Sequence, residues 1–453
     1  MAIAAGDEGR YKRRVLDLQK RVAAIHRDFR LYRGTSSHLF PYETRYRNRS
    51  PRISMAEFNH ILAIDESQNT VEVEGGATYG NIARATLRHD LLPTITPELK
   101  DITAGGAIVG IGIESSCFRY GFVHDGLHEA DVLLADGDVI TCTSTNEFKD
   151  LFKGLPNSYG TLGYVLRAKL QLVTARPYVR VTVRRFTNLH SYIDALRYDT
   201  EDPSNDFVEG LVYDTDELYA IRGHFEDAVH PVGNIHGLTP YYKQLRDIGE
   251  IGLRTEDYVF RYDPDWFWNV PTGGMYTVFR LLAPRSVRHS SFYKRYSRWK
   301  AGLIRARNFL WQSEPSVYEP LIQDWQVPWD RALEFVEFAL NKIDLRGKPW
   351  ACVPIRPRQS PTLYPVAAGS LYFNLGCYCW MRSQAGTERF DATRLLDNKC
   401  FGLGGLKMLY SSTFIDECEF QKRFNGDLYR ALKQKYDPNG RLPTVYQKVM
   451  AGE

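Results

Sequence analysis

The stretch that most restricts this chain is Asp101-Ile-Thr-Ala-Gly-Gly-Ala-Ile-Val-Gly-Ile-Gly-Ile-Glu-Ser-Ser116, with glycines at 105, 106, 110 and 112 among apolar neighbours. Such glycines let a backbone approach a ligand closely and aim successive N–H groups at it, which holds phosphate without spending cationic side chains. Thr103, Ser115 and Ser116 add hydroxyls able to bond phosphate or a ring carbonyl. The pattern points to a nucleotide cofactor. Its spacing, GGxxxGxG, is not the GxGxxG of a dinucleotide fold, and the chain has no GxxxxGK[ST] phosphate loop. Close packing between backbone segments is the competing use of such glycines. A second glycine element, Ser158-Tyr-Gly-Thr-Leu-Gly163, leads into a strand and suggests a second wall of one cofactor site.

The surrounding pattern is α+β. Val71-Glu72-Val73-Glu74 alternates like a half-buried strand, Gly75-Gly76 follows, and a helix is expected over 79–89. Runs at 132–135 and 139–141 flank Asp136-Gly137, a tight-hairpin dipeptide, and 164–173 reads as another strand ending near Pro177. At 453 residues, two or three domains are expected. All eight tryptophans lie between Trp266 and Trp380, so a second α+β domain, the substrate domain, is expected over 177–453, after a cofactor domain over 31–176. Residues 1–30 should form a basic amphipathic helix, with Val15, Leu18, Val22 and Ile25 at helical spacing.

The net charge of +4 hides an uneven distribution: residues 1–52 carry thirteen Lys and Arg against five Asp and Glu, and 280–307 carry nine Lys and Arg and no acid. Two basic patches on an acidic body suggest an anionic partner; solvated faces are the plain alternative. Seven scattered cysteines make no disulfide framework, and the close pair Cys377 and Cys379 reads as two residues of one strand rather than a metal site, so a reducing interior and no metal are expected. The longest apolar run, 104–113, is far short of a membrane span, and the start lacks the order of a signal peptide. A cytoplasmic enzyme, peripheral on the inner face of the membrane, is the expectation.

In order along the chain, Glu74-Gly-Gly-Ala-Thr-Tyr-Gly80, Thr103-Ala-Gly-Gly106, Tyr120-Gly121, Ala135-Asp-Gly137 and Gly160-Thr-Leu-Gly163 resemble the FAD-binding, PCMH-type domain of the vanillyl-alcohol oxidase and p-cresol methylhydroxylase superfamily. Thr96-Pro-Glu-Leu-Lys-Asp-Ile-Thr103, Gly112-Ile-Glu-Ser-Ser116, Phe207-Val-Glu-Gly210 and Met408-Leu-Tyr410 resemble the Δ24-sterol reductases within it. Asp257-Tyr-Val-Phe-Arg-Tyr-Asp-Pro-Asp-Trp-Phe-Trp268 resembles bacterial relatives that reduce a methylene branch on phospholipid acyl chains. The resemblance implies noncovalent FAD across Thr103, Ala104, Gly105, Gly106, Gly110, Gly112, Ile113, Glu114, Ser115 and Ser116, closed over by Tyr120, Gly121, Gly160, Thr161 and Gly163. It implies NADPH or NADH as electron donor, and it leaves room for a methyltransferase or an electron-donor protein as partner. The superfamily's first phosphate loop is here Arg33-Gly-Thr-Ser-Ser-His38, poor in glycine, where His38 is the residue that could link flavin. The membrane anchor of sterol reductases in higher organisms has no counterpart, and the basic helix is its expected substitute at an anionic bilayer.

The implied chemistry is reduction of an isolated C=C in a lipid, either a methylene-branched fatty acyl chain of a phospholipid or a sterol Δ24 bond. With no carbonyl to stabilise a carbanion, protonation must lead, placing positive charge on a tertiary carbon that takes hydride from reduced flavin N5. Glu209, in an apolar stretch, is a candidate acid if burial raises its pKa, and an Arg-paired strand carboxylate otherwise. Tyr410 is a second candidate acid, and Lys407 a candidate balance for reduced flavin, on a strand expected to return to the cofactor; plain polar and apolar alternation is the competing reading. The tryptophans suit the wall of an apolar slot, with core packing as the alternative use. The aromatic and basic stretch 280–307 fits a membrane interface better than single-stranded nucleic acid. An FAD-dependent alcohol or sugar oxidase is the second enzyme reading.

Overall fold

Apolar and polar residues alternate into a strand at Thr70–Glu74, where Val71 and Val73 are fully buried. The structure, a computed structural model, describes residues 5–25, 28–32, 51–270, 274–296, 299, 318–382 and 390–450. The loop at 33–38 with His38, and most of 297–317, lie outside the described residues.

The first sheet is antiparallel, with Ile61–Asp65, Thr70–Glu74, Tyr164–Thr174, Leu127–Leu133 and Val139–Thr143 side by side in that order. Leu91–Pro93 also pairs with Tyr164–Thr174. The hairpin at Asp136-Gly137 forms as expected, with Gly137 at φ +104°. The second sheet has eight antiparallel strands in the order Glu250–Arg254, Tyr178–Phe186, Glu217–Glu226, Phe207–Asp214, Trp350–Ile355, Tyr372–Arg382, Tyr318–Pro328 and Leu406–Lys407. Helices Leu189–Glu201, Ala332–Lys342 and Asp391–Gly402 pack on it. The mixture is α+β, and one buried apolar cluster runs continuously from Val71 in the first sheet to Phe373 in the second.

The glycine run folds not as an open loop but as a short helix, Ala104–Val109, capped by the Thr103 hydroxyl, which accepts from the Gly106 N–H at 3.3 Å. The Ala104 and Gly105 N–H groups bond the carbonyls of Ala77 and Gly75, each at 2.9 Å. A Cβ on Gly105 would sit 2.9 Å from the Gly75 oxygen, and one on Gly75 only 2.0 Å from the Val165 oxygen. Here the glycines let helix, turn and strand touch, which is the packing use of such residues.

The basic helix is Ala5–Ala23. Its apolar stripe is buried against the first sheet through Tyr11, Leu18 and Val22. Tyr11 donates to Asp131 at 2.8 Å, Arg14 Nε to the fully buried Glu74 at 3.0 Å, and Gln19 to the Gly137 carbonyl at 2.9 Å. Lys12, Arg13 and Lys20 are left to solvent, together with Leu16 and Asp17.

Candidate active site

With the first N–H groups of the helix already bonded, the part of the glycine stretch open to a ligand is its far side, where Gly106, Gly110, Gly112 and Ile113 keep partial exposure. Between them Ile111 is held at φ +56°, a backbone state that a β-branched residue adopts only when its surroundings impose it. The second glycine element faces this point: the Tyr159 N–H bonds the Val109 carbonyl at 3.1 Å, and a Cβ on Gly110 would meet the Tyr159 ring at 3.5 Å. Tyr159, Gly160 and Gly163 all have positive φ. Lys433 donates to the Thr161 carbonyl at 2.9 Å and Tyr429 to the Thr161 hydroxyl at 3.0 Å, so the C-terminal helix Gly426–Tyr436 props this loop. Gly121, at φ +78°, lies against Asp125, while the half-buried Tyr120 sits under the Arg358 guanidinium at 5.9 Å.

Beyond Ile113 the chain runs into the second sheet, where the Val208 N–H bonds the Ser115 carbonyl at 2.9 Å. There Arg261, with no exposure, grips two acids. Its Nε and Nη2 reach Glu209 at 2.8 and 2.6 Å, and Nη2 reaches Glu114 at 2.8 Å. The guanidinium lies over the Tyr258 and Tyr262 rings at 4.4 and 4.9 Å, and Tyr262 donates to Glu209 at 3.2 Å. Burial raises the Glu209 carboxyl, helped by the charge of Glu114 and opposed by Arg261. Glu98 is pushed well above the ordinary range by burial and then by Glu114. Glu209 thus combines both expectations: it is paired with Arg261, and burial still raises its carboxyl. Glu114 is turned to Arg261, but its Oε2 is buried with no partner among the described residues and is free to accept from a ligand.

A second buried acid went unread in the sequence. Asp324 accepts from Asn374 Nδ2 at 2.6 Å, from the Tyr378 hydroxyl at 2.8 Å, and from the Tyr410 hydroxyl. Strand register explains the cluster: Asp324 pairs with Gly376, Gln326 with Asn374 and Ile322 with Tyr378, so all three bonded side chains share one face. Gly376 makes the room, since a Cβ there would lie 2.6 Å from Asp324 Oδ1 and 2.9 Å from the Tyr378 hydroxyl. None of these partners is cationic, and burial raises the Asp324 carboxyl above the usual range. Burial and then Asp324 push the Tyr410 hydroxyl well up. The Leu409 backbone N–H acts on the Tyr159 hydroxyl, which places this segment against the second glycine element.

An aromatic stack joins the two acid clusters. Phe267 lies flat between Tyr378, at 3.9 Å and 14°, and Tyr262, at 5.6 Å and 19°. Trp268 meets Phe267 edge-on at 5.7 Å. Trp266 and Phe267 are both forced to positive φ, at 44° and 58°, to make this insertion. By contrast, Trp325 and Trp350 are packed in the core. Lys407 is fully buried, donating to Asp397 at 2.6 Å and to the Ser412 carbonyl at 2.8 Å, so its charge is matched inside the protein. Glu98, Arg261, Asp324, Asn374 and Tyr378 are thus the members that residue-type reasoning missed. The available signal was Gln323-Asp324 and Gln326 within an apolar strand, where polar groups must find partners.

Residues 17–143 match a family model described as FAD binding domain. Over 422 residues, 87% of this chain and 77% of the other, the sequence is 29% identical to the Delta(24)-sterol reductase of Homo sapiens. It is 27% identical to that of Arabidopsis thaliana over 446 residues, 90% of this chain and 78% of the other. The chain is thus similar to the Delta(24)-sterol reductases over most of its length and matches an FAD-binding domain over 17–143. A shorter match, 28% over 143 residues and 31% of this chain, is to cytokinin dehydrogenase 9 of Oryza sativa subsp. japonica. The open side of 106–113, the facing element at 158–163 and the Glu114 Oε2, without a partner among the described residues, are the groups of this chain that could hold an FAD cofactor. Among the described residues no helix is long and apolar enough to cross a membrane.

Proposed function

We propose that this chain reduces an isolated carbon–carbon double bond in a lipid, that residues 31–176 hold FAD and 177–453 the lipid, and that Tyr410, Asp324 and Tyr378 deliver the proton. The observation that carries the reading is Asp324: a buried carboxyl, bonded by two tyrosines and by no cation, where segment 408–410 meets the second glycine element. Burial favours the protonated acid. Tyr410 gives its proton to the less substituted alkene carbon and recovers one from Asp324, so no phenolate is left beside a carboxylate. The stack Tyr262, Phe267 and Tyr378 keeps water from the tertiary cation. FAD, when bound, supplies the hydride. NADPH or NADH is the proposed source of electrons.

The printed names of the relatives support a sterol alkene. The stretch 257–268 supports a methylene-branched acyl chain, and either substrate gives a tertiary cation. We further place the enzyme at an anionic bilayer. Helix Met275–Leu282 exposes Val278, Leu281 and Leu282, at 53%, 69% and 73%, and Trp299 beyond it is also exposed, within the cation-rich stretch 280–307. The N-terminal helix, with Tyr11, Leu18 and Val22 already covered, contributes chiefly charge.

Lipids extracted from cells with and without the protein identify the substrate by an alkene that accumulates in its absence. With that alkene, Tyr410→Phe and Asp324→Asn should keep flavin content and slow reduction at least tenfold. Wild-type turnover in both variants would remove the proposed acid. Anaerobic NADPH or NADH should bleach the flavin, whereas an oxidase would stay yellow until alcohol is added.

A further inference from the structure

Outside this site, a cleft of about 370 Å³ opens where Lys100, at the end of the stretch leading into the glycine helix, meets the second sheet. Cations reach it from separate segments: Arg254 closes strand Glu250–Arg254, while Arg285 and Arg288 come from the turn after the exposed helix. Arg254 and Arg285 are exposed and have no hydrogen bond or ion pair among the described residues. Two further groups line the cleft, each with a buried nitrogen that has no partner among the described residues. Arg288, 8% exposed, spends Nη1 on the carbonyls of His236 and Arg280 at 2.8 and 3.1 Å, but its Nε is buried without a partner. His236, its side chain 9% exposed, has Nε2 3.8 Å from Asp257, while Nδ1 is buried without a partner.

Of the acids in the cleft, Glu256 lies 3.5 Å from Arg84, Asp257 faces the neutral ring of His236, and Asp101 has no ion pair among the described residues. Two unpaired guanidiniums and the buried Arg288 Nε with nothing to donate to are an incomplete coordination shell. An anion with several acceptor oxygens completes it, because each oxygen can take two or more charge-assisted bonds. Burial, and then Arg285, Lys100 and Arg288, hold His236 down to about 4.

We propose that this cleft binds a phosphate group. Two sources carry that chemistry: the headgroup of a phospholipid, whose chains would pass toward Leu281 and Leu282, and the phosphate on the adenosine ribose that distinguishes NADPH from NADH. The site is separate from the alkene-reducing cluster, so its test does not depend on alkene turnover.

The test uses full-length, FAD-loaded protein and the double variant Arg254→Ser with Arg285→Ser. Both side chains are exposed, so folding and flavin content should persist. Inorganic phosphate at millimolar concentration should raise the melting temperature of the wild type and not of the variant. A nucleotide source predicts that the variant needs at least tenfold more NADPH for half-maximal flavin reduction, with NADH unchanged. A headgroup source predicts at least tenfold weaker binding to phosphatidylcholine vesicles containing phosphatidic acid, with no change on vesicles containing diacylglycerol instead. Should phosphate shift both proteins equally, and should NADPH and both vesicle types fail to distinguish them, the cleft is no phosphate site. A variant that loses flavin or melts early is replaced by Arg285→Gln alone, judged by the same readouts.

Discussion

At the scale of single residues, several positions act through the space they leave or the proton they lack. Gly376→Ala would drive a methyl group into the Asp324 carboxyl and the Tyr378 hydroxyl. We expect a stability loss of about 1–3 kcal/mol by urea unfolding, together with slowed alkene reduction and retained flavin. Asp324 itself predicts a pH effect. Its raised pKa means that the working, protonated form is lost as pH rises through that value, so alkene reduction should fall on the alkaline side, and Asp324→Asn should remove that limb. His124 gives the opposite sign. Burial lowers it to about 3, and both ring nitrogens lack a partner among the described residues. Its folded pKa lies below its unfolded one, so stability is intact near neutrality and falls as pH drops from about 6.5 toward 3, by about 1.4 kcal/mol per unit. His124→Leu should flatten that part of a pH series of unfolding midpoints.

At the scale of elements, what was legible followed from period and turn chemistry. The strand at Thr70–Glu74, the helix from Tyr79 and the Asp136-Gly137 hairpin each carry their signal within a few residues. The glycine helix did not, because its glycines answer to Gly75 and Val165, distant in sequence and brought near only by the sheet. The same limit hid Arg261 and Asp324. A carboxylate in an apolar stretch announces that it needs a partner, as Glu209 did, but not which one; register across the second sheet supplies Tyr378 and Asn374, and the turn after Thr255–Val259 supplies Arg261. That turn is also where a substitution should be most costly. Arg261→Met leaves Glu209 and Glu114 buried without their cation, and we expect about 3–5 kcal/mol of lost stability. Glu209→Gln, which keeps a hydrogen-bonding side chain beside Arg261, should cost less. Chemical denaturation of the two variants side by side tests the order.

At the scale of the whole molecule, charge arithmetic foresaw two basic regions but could not say that one of them has its apolar side already occupied. Deleting residues 1–25 should therefore destabilise the first sheet, by uncovering Phe58, Leu133 and Leu166, rather than simply release the protein from membranes. Replacing Leu281 and Leu282 by Ser should instead reduce sedimentation with anionic vesicles and leave the melting temperature unchanged; equal sedimentation would move the bilayer contact elsewhere. The covered helix has one more consequence. Its last turn is clasped from the opposite end of the sequence, where Arg441 donates to the Ile25 carbonyl at 2.5 Å and lies over the Phe29 ring at 5.1 Å, and Leu442 joins Leu18 and Val22 in their cluster. During synthesis that helix leaves the ribosome early and waits for the strands at 127–143, then for residue 441, before its surroundings are complete. A segment made well before its partners is thus completed only after them, so the nascent chain should depend on chaperones through that interval.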